Sequence, residues 1–325
     1  MTALAVVSAL AFAFLNGAID AGTLAGSVIS SRSLSPRQAL VMAALGTFAG
    51  SMLLGSAVVH TLGRHLVVFE ALPATAEPLT AICAAALAAL AWVAFGALLG
   101  LPGSFTHALL GGWLGAFLAL GGAGAVRWGS AAGVLFGVLA VPLLGLGTAW
   151  AALRLFYGFG ERLSSRSQDL LSGLESVFFG ALAVAHGANA SQKSMALIAV
   201  AAMDLSSGAE LAVPGWARLV VSAAFALGIL LGATRTLKTV GFRIFRVGTV
   251  HSFLALGVSG GLVLGSTLAG LPLSPGQLNS ACLLGVGAGH NPKTVRWGVA
   301  ADLLANWAVT FPAAAVLGFA LAKVL

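Results

Sequence analysis

The 325-residue sequence predicts an all-α polytopic membrane protein, two inverted-topology repeats of about five spans each, with broken or re-entrant helices at its site. Three observations carry that prediction. The chain is 59% hydrophobic and only 8% charged, with a mean hydropathy of +1.02. A soluble domain carries about 25% charged residues, so this chain has too few to cover a water-exposed surface. Apolar runs of roughly 20 residues, enough to cross a bilayer as helix, fill most of the sequence; the short alternating segments of a β-barrel are absent. Lastly, polar and Gly/Pro-broken segments return about half a chain later. Ala125-Val126-Arg127-Trp128-Gly129 reappears as Thr294-Val295-Arg296-Trp297-Gly298, and Leu101-Pro102 with Ser104 reappears as Leu271-Pro272 with Ser274. Asn16-Gly17-Ala18-Ile19-Asp20 faces His186-Gly187-Ala188-Asn189-Ala190 at an offset of 170. Duplicated interruptions of this kind mark two membrane halves with a site between them.

In the first half, the predicted spans are 2–30, 38–61, 79–100, 103–121 and 128–153. The first has no basic residue ahead of its apolar run, so it is expected to stay as a span and not to act as a cleaved signal peptide. In the second half they are 171–200, 217–233, 248–268, 274–290 and 298–322. Forty-three glycines, many among Ala and Ser, suit close helix packing in lipid. Cys83 and Cys282 lie inside apolar runs and read as small core residues, with no disulfide framework. The expected units are a first membrane repeat, 1–153, a cytoplasmic connector, 154–170, and a second membrane repeat, 171–325.

Five spans is an odd number, so the second half enters the membrane from the opposite side. With both termini outside, the inner loops carry Arg32, Arg37, Arg154, Arg162, Arg166, Arg235, Lys238, Arg243, Arg246, Lys293 and Arg296. The outer loops and tail carry Arg64, Arg127, Arg218 and Lys323. That eleven-to-four bias follows the positive-inside rule and predicts a multi-pass protein of the cell membrane with N- and C-termini outside. The same distribution explains the net charge of +7 without nucleic acid: the basic residues sit between spans, and the 235–246 cluster reads as an orientation signal near anionic lipid.

Few residues are left to carry chemistry. Asp20, beside Asn16, lies late in an apolar run, where a carboxylate is costly unless it is paired or faces a cavity. The segment His186 to Lys193 is the densest in polar groups of any span, and a buried Lys193 needs an anionic partner, either a carboxylate or a bound anion. The Leu-Pro-x-Ser pairs each break a helix and start another. Free amides and the helix dipole at such a start make an anion site, which nominates Ser104, Thr106, Ser274 and Gly276. Asp302 and Asn306 share a face of the last span. No nucleophile–base pair, nucleotide loop or metal-ligand spacing stands out, so no enzyme is expected.

Together these segments resemble the inorganic phosphate transporter (PiT) family of ion-coupled permeases. Asn16 to Asp20 with Ser35-Pro36-Arg37-Gln38 is similar to its first signature and the helix start that follows; His186-Gly187-Ala188-Asn189 with Gln192-Lys193 is similar to the second. Lys238-Thr239-Val240-Gly241, the Leu-Pro-x-Ser pairs and Val295-Arg296-Trp297-Gly298 extend the resemblance across nearly the whole chain. It implies a cation-coupled symporter importing phosphate, needing no cofactor besides sodium or a proton, in the lipid bilayer and as a possible homo-oligomer. Sulfate or another oxyanion is the alternative substrate, and a passive or transport-inactive protein the alternative class. The anion would be held by Ser104, Thr106, Asn189, Gln192, Lys193, Ser274 and Gly276, and the coupling ion by Asn16, Asp20 and Asp302. The sequence departs from the family at Ala190, where the second signature has Asp, at Thr23, where the first has Asn, and at the Ser274-Pro275-Gly276-Gln277 tip, which keeps Ser274 and lacks the hydroxyls that follow it in the family.

Overall fold

The computed structural model describes every residue except 74–76, 99–102, 160–164, 204–210 and 233–246, and omits the side chains of 159 and 165–169. Leu101-Pro102, the core of the predicted connector and the basic cluster at Arg235, Lys238, Arg243 and Arg246 lie outside the described residues. The first half runs α1 (Thr2–Ser30), α2 (Pro36–Leu53), a short α3 (Ala57–His60) that continues as a π-helical turn, α4 (Pro78–Leu98), α5 (Phe105–Gly121) and α6 (Trp128–Phe159). The second runs α7 (Ser165–Ala201), α8 (Gly215–Gly232), α9 (Thr249–Leu268), α10 (Pro275–His290) and α11 (Trp297–Val324).

Among the described residues seven helices are long and apolar enough to cross a membrane: α1, α4, α6, α7, α8, α9 and α11. The predicted span 38–61 is broken, with α2 and the α3 segment meeting at 64°. The predicted spans 103–121 and 274–290 are corrected. With 17 and 16 residues, α5 and α10 reach about 25 Å, short of a hydrocarbon core of about 30 Å. Nearly all their residues are buried, so each is a short helix enclosed by long ones: α5 packs on α11 and α4, α10 on α6 and α9.

Local chemistry fixes these boundaries. Ser35 forms a capping box with Gln38, and Pro36 occupies the first helical position of α2. At the start of α5, the Ser104 side chain accepts from the His107 N–H at 3.2 Å. The predicted interfacial tryptophans are half exposed and anchored alike: Trp128 Nε1 donates to Ala123 O at 3.0 Å and Trp297 Nε1 to Pro292 O at 2.9 Å. Cys83 and Cys282 are buried free thiols.

Glycines set the helix contacts. A Cβ on Gly17 would strike the Phe225 carbonyl of α8; one on Gly187 would strike the Thr47 carbonyl of α2. Likewise Gly115 abuts Ala315 of α11, and Gly285 abuts Leu146 of α6. Each pair is 170 residues apart, and each of the four glycines admits a helix of the opposite half. Two polar links join α1 and its C-cap to α7: Asp20 meets His186, and Ser31, the C-cap eleven residues further on, meets Glu175, eleven residues back along α7. The two helices therefore run antiparallel.

Candidate functional site

The short helices α5 and α10 bring their N-termini together at Lys193, in the last third of α7. There Lys193, 1% exposed, donates from Nζ to Thr106 Oγ1 at 2.7 Å and to Leu273 O at 2.7 Å. Thr106 Oγ1 also donates to Leu273 O, at 2.5 Å, so one hydrogen-bonded triangle ties α5, α7 and the segment before α10. An ammonium has three N–H donors, and these contacts use two of them. No carboxylate among the described residues forms a salt bridge with Lys193.

A few residues along the chain, Ser274 and Gly276 line a cavity of about 20 Å³, room for one water-sized group, with Ile19, Asp20, Thr23, Gly103, Gln277, Ser280, Leu303 and Trp307. Asp20 is the only carboxylate in that lining, and its Oδ2 lies 3.1 Å from His186 Nε2. The missing side chain of Gly276 is what lets α10 approach: a Cβ there would stand 2.8 Å from Thr23 Oγ1 and 3.2 Å from Asp20 Oδ1. Ser274 precedes α10 without capping it through its side chain, which leaves first-turn amides free to act as donors.

Around these groups are buried polar atoms with no partner among the described residues: both side-chain polar atoms of Asn16 and of Gln277, His107 Nε2 and Asn279 Oδ1. Orphaned buried groups are uncommon in native proteins and commonly await an ion or water. Asn279 is itself positioned, its Nδ2 donating to Thr23 O at 2.6 Å.

The structure thus gathers Ser104, Thr106 and Lys193 at one junction, and Asp20, Ser274 and Gly276 at the adjoining cavity. Asn16 is buried one helical turn before Asp20. Three expectations are corrected. Gln192 spans the break after α2, accepting from Val58 N at 2.8 Å and donating to Leu54 O at 2.9 Å, so both ends of its amide are committed. Asn189 holds the segment between α9 and α10, donating to Thr267 Oγ1 and Leu271 O and accepting from Leu273 N, all at 3.0 Å. Both shape the site and do not face it. Asp302 is exposed on α11 and absent from the cavity, which Leu303 and Trp307 of the same helix line instead. Sequence reasoning missed His186 as the partner of Asp20, and missed Gln277, Asn279 and Thr23. Their signal was adjacency, since each lies in or beside a segment the repeat marks.

A sequence profile described as the phosphate transporter family matches residues 16–172 and 160–318. The chain belongs to that family. The chain is 31% identical over 324 residues to a probable low-affinity inorganic phosphate transporter of Bacillus subtilis, covering 98% of this chain and 95% of the relative. It is 31% identical to a protein of the same description from Rhizobium meliloti, over 96% of this chain and 92% of the relative. A putative phosphate permease of Thermococcus kodakarensis is 24% identical, over 98% of this chain and 96% of the relative. A solved structure described as the sodium-dependent phosphate transporter superposes with a TM-score of 0.89 over 99% of this chain and 98% of that one, at 19% identity, which establishes the shared fold. These relatives of the phosphate transporter family are transporters and not enzymes, and phosphate is the family's substrate.

Proposed function

We propose that this member of the phosphate transporter family imports inorganic phosphate through the junction of α5, α7 and α10, driven by a sodium or proton gradient. The observation that carries the reading is Lys193: a buried ammonium held by neutral oxygens, one N–H unspent, where two short helices present their N-termini. A tetrahedral oxyanion would take that third donor and the first-turn amides of α10 at Gly276, and the Thr106 and Ser104 hydroxyls would join them by turning from Leu273 O and His107 Nδ1. Asp20, with Asn16 and the unpartnered oxygens of Gln277 and Asn279, would hold the coupling ion beside the anion, so that each charge lowers the cost of burying the other. A cavity of about 20 Å³ is too small for a phosphate, so binding the anion there would require the surrounding helices to move. The sodium named for the structural neighbour makes sodium the first coupling ion to test.

Residues 1–153 and 171–325, joined by 154–170, act as the two opposed halves. The antiparallel course of α1 and α7, which carry the matching Asn16–Asp20 and His186–Ala190 segments, supports inversion. The helices of the two halves interleave, α1 on α8, α2 on α7, α5 on α11 and α6 on α10, so motion of one interleaved helix group against another would then alternate access. The inversion argument survives the shortening of α5 and α10: if each returns to the side from which the helix before it entered, three crossings per half remain, still an odd number. The test is labelled phosphate uptake into proteoliposomes under an imposed sodium or proton gradient, with excess unlabelled sulfate present. Accumulation under one gradient, resistant to sulfate, is expected; no accumulation under either, by folded protein, overturns the reading.

A further inference from the structure

Away from this site, α2 and α7 leave an apolar groove of about 720 Å³ between them. Val41, Met42 and Leu45 of α2 line it with Gly180 and Val184 of α7, and its polar lining, Arg37 and Gln38, belongs to the first turn of α2. Gly180 keeps the groove open: a Cβ there would stand 2.8 Å from Met42 Cε, so any side chain at 180 would begin to fill it. Arg37, Val41 and Leu45 follow at four-residue intervals and share one face of α2, which puts the charge at the head of an apolar stripe. Val41 is 43% exposed and Leu45 66%, so that face is turned to whatever surrounds the protein.

Two observations select the occupant. One is charge. Among the described residues no hydrogen-bond or ion-pair partner meets the Arg37 guanidinium. Gln38, whose Oε1 accepts from Ser35 N and Ser35 Oγ, keeps its Nε2 donors unspent, and the start of α2 adds partial positive charge. A free guanidinium beside spare N–H donors suits a phosphate group. The other is length. Arg37 and Leu45 are eight residues apart, about 12 Å of helix rise, against about 15 Å for one leaflet's share of the hydrocarbon core. The stripe therefore has the reach of one acyl chain whose headgroup stays at the interface. We propose that this groove binds an anionic glycerophospholipid, its phosphate on Arg37 and Gln38 and one acyl chain along Val41, Leu45 and Gly180. The loop charges predict this end of α2 to be cytoplasmic, the side on which basic residues attract anionic lipid. Bound there, the lipid bridges α2, whose terminal break is held by Gln192, to α7, which carries Lys193. This goes beyond the transport reading and is independent of the anion carried.

The experiment uses the full chain, purified in detergent, stripped of lipid and free of inorganic phosphate. Native mass spectrometry and thermal unfolding follow titration with dioleoyl phosphatidylglycerol, dioleoyl phosphatidylcholine or glycerol 3-phosphate. The proteins are wild type, Arg37→Gln, Val41→Trp and, as control, Arg296→Gln, which changes an exposed arginine outside the groove. Expected for wild type is one saturable phosphatidylglycerol that raises the midpoint and binds several-fold tighter than phosphatidylcholine, with no response to glycerol 3-phosphate. Arg37→Gln should erase the preference and leave both lipids binding weakly; Val41→Trp, whose indole fills the groove, should weaken both several-fold; Arg296→Gln should match wild type. Should Val41→Trp fail to fold, the Arg37→Gln comparison decides. The proposal is overturned if the two lipids bind alike, if the preference survives Arg37→Gln or falls equally in Arg296→Gln, or if glycerol 3-phosphate gives the same shift. It is also overturned if Val41→Trp splits a dimer and leaves lipid bound, which would give the groove to a second copy of the chain.

Discussion

Lys193 is held by a threonine hydroxyl and a backbone carbonyl, with its charge left for something else to balance. Lys193→Met keeps the side chain's length and removes that charge, and replacing a buried ion by an apolar group of similar volume is commonly tolerated by the fold. Uptake is expected to fall on the order of 10- to 100-fold, the worth of one or two hydrogen bonds to a charged group, with the unfolding midpoint little changed. Asp20→Asn is expected to leave labelled phosphate binding measurable and to blunt its dependence on the driving cation; equal loss of both would place Asp20 among the anion's ligands. The sequence made these two residues legible because an ionised group in an apolar run demands a reason. It misled at Asp302, since sharing a face with Asn306 does not say which way that face points. It was silent on Glu175, which lies in the polar leading part of α7, where a carboxylate reads as ordinary.

Helices and their breaks obey a different logic. Gln192→Leu would leave the Val58 N–H and the Leu54 carbonyl without partners inside the break after α2. At about 1–3 kcal/mol per orphaned group, a clear drop in unfolding midpoint is expected, with uptake lost in proportion to folded protein. Gly187→Ala, which puts a methyl against the Thr47 carbonyl, should cost about 1–3 kcal/mol, whereas Gly298→Ala, with open space around it, should be neutral; unfolding in detergent compares them. Most spans were legible from hydropathy alone. The truncation of α5 and α10 was not, because burial among other helices selects the same apolar residues as lipid does. Nor was the bend after α2, whose carbonyl and amide find their partner on a helix more than a hundred residues away.

For the whole molecule the loop charges predict both termini outside, and cysteine labelling tests that expectation. In a background with Cys83 and Cys282 replaced by Ala, Lys323→Cys should react with an impermeant maleimide on intact cells, and Arg154→Cys only after permeabilisation; the opposite result inverts the topology. The polar pairings of α1 with α7 carry a further implication, for how such a chain can change over generations. Asp20 and Ser31 meet His186 and Glu175 across equal stretches of two antiparallel helices. Adding or deleting one residue in either stretch rotates everything beyond it by about 100° and unseats one of the two pairings. Substitutions can accumulate singly between these positions, but a change of length survives only with a matching change on the other helix. Among descendants of this chain, insertions should therefore gather in the loops and leave the eleven-residue interval in both helices untouched.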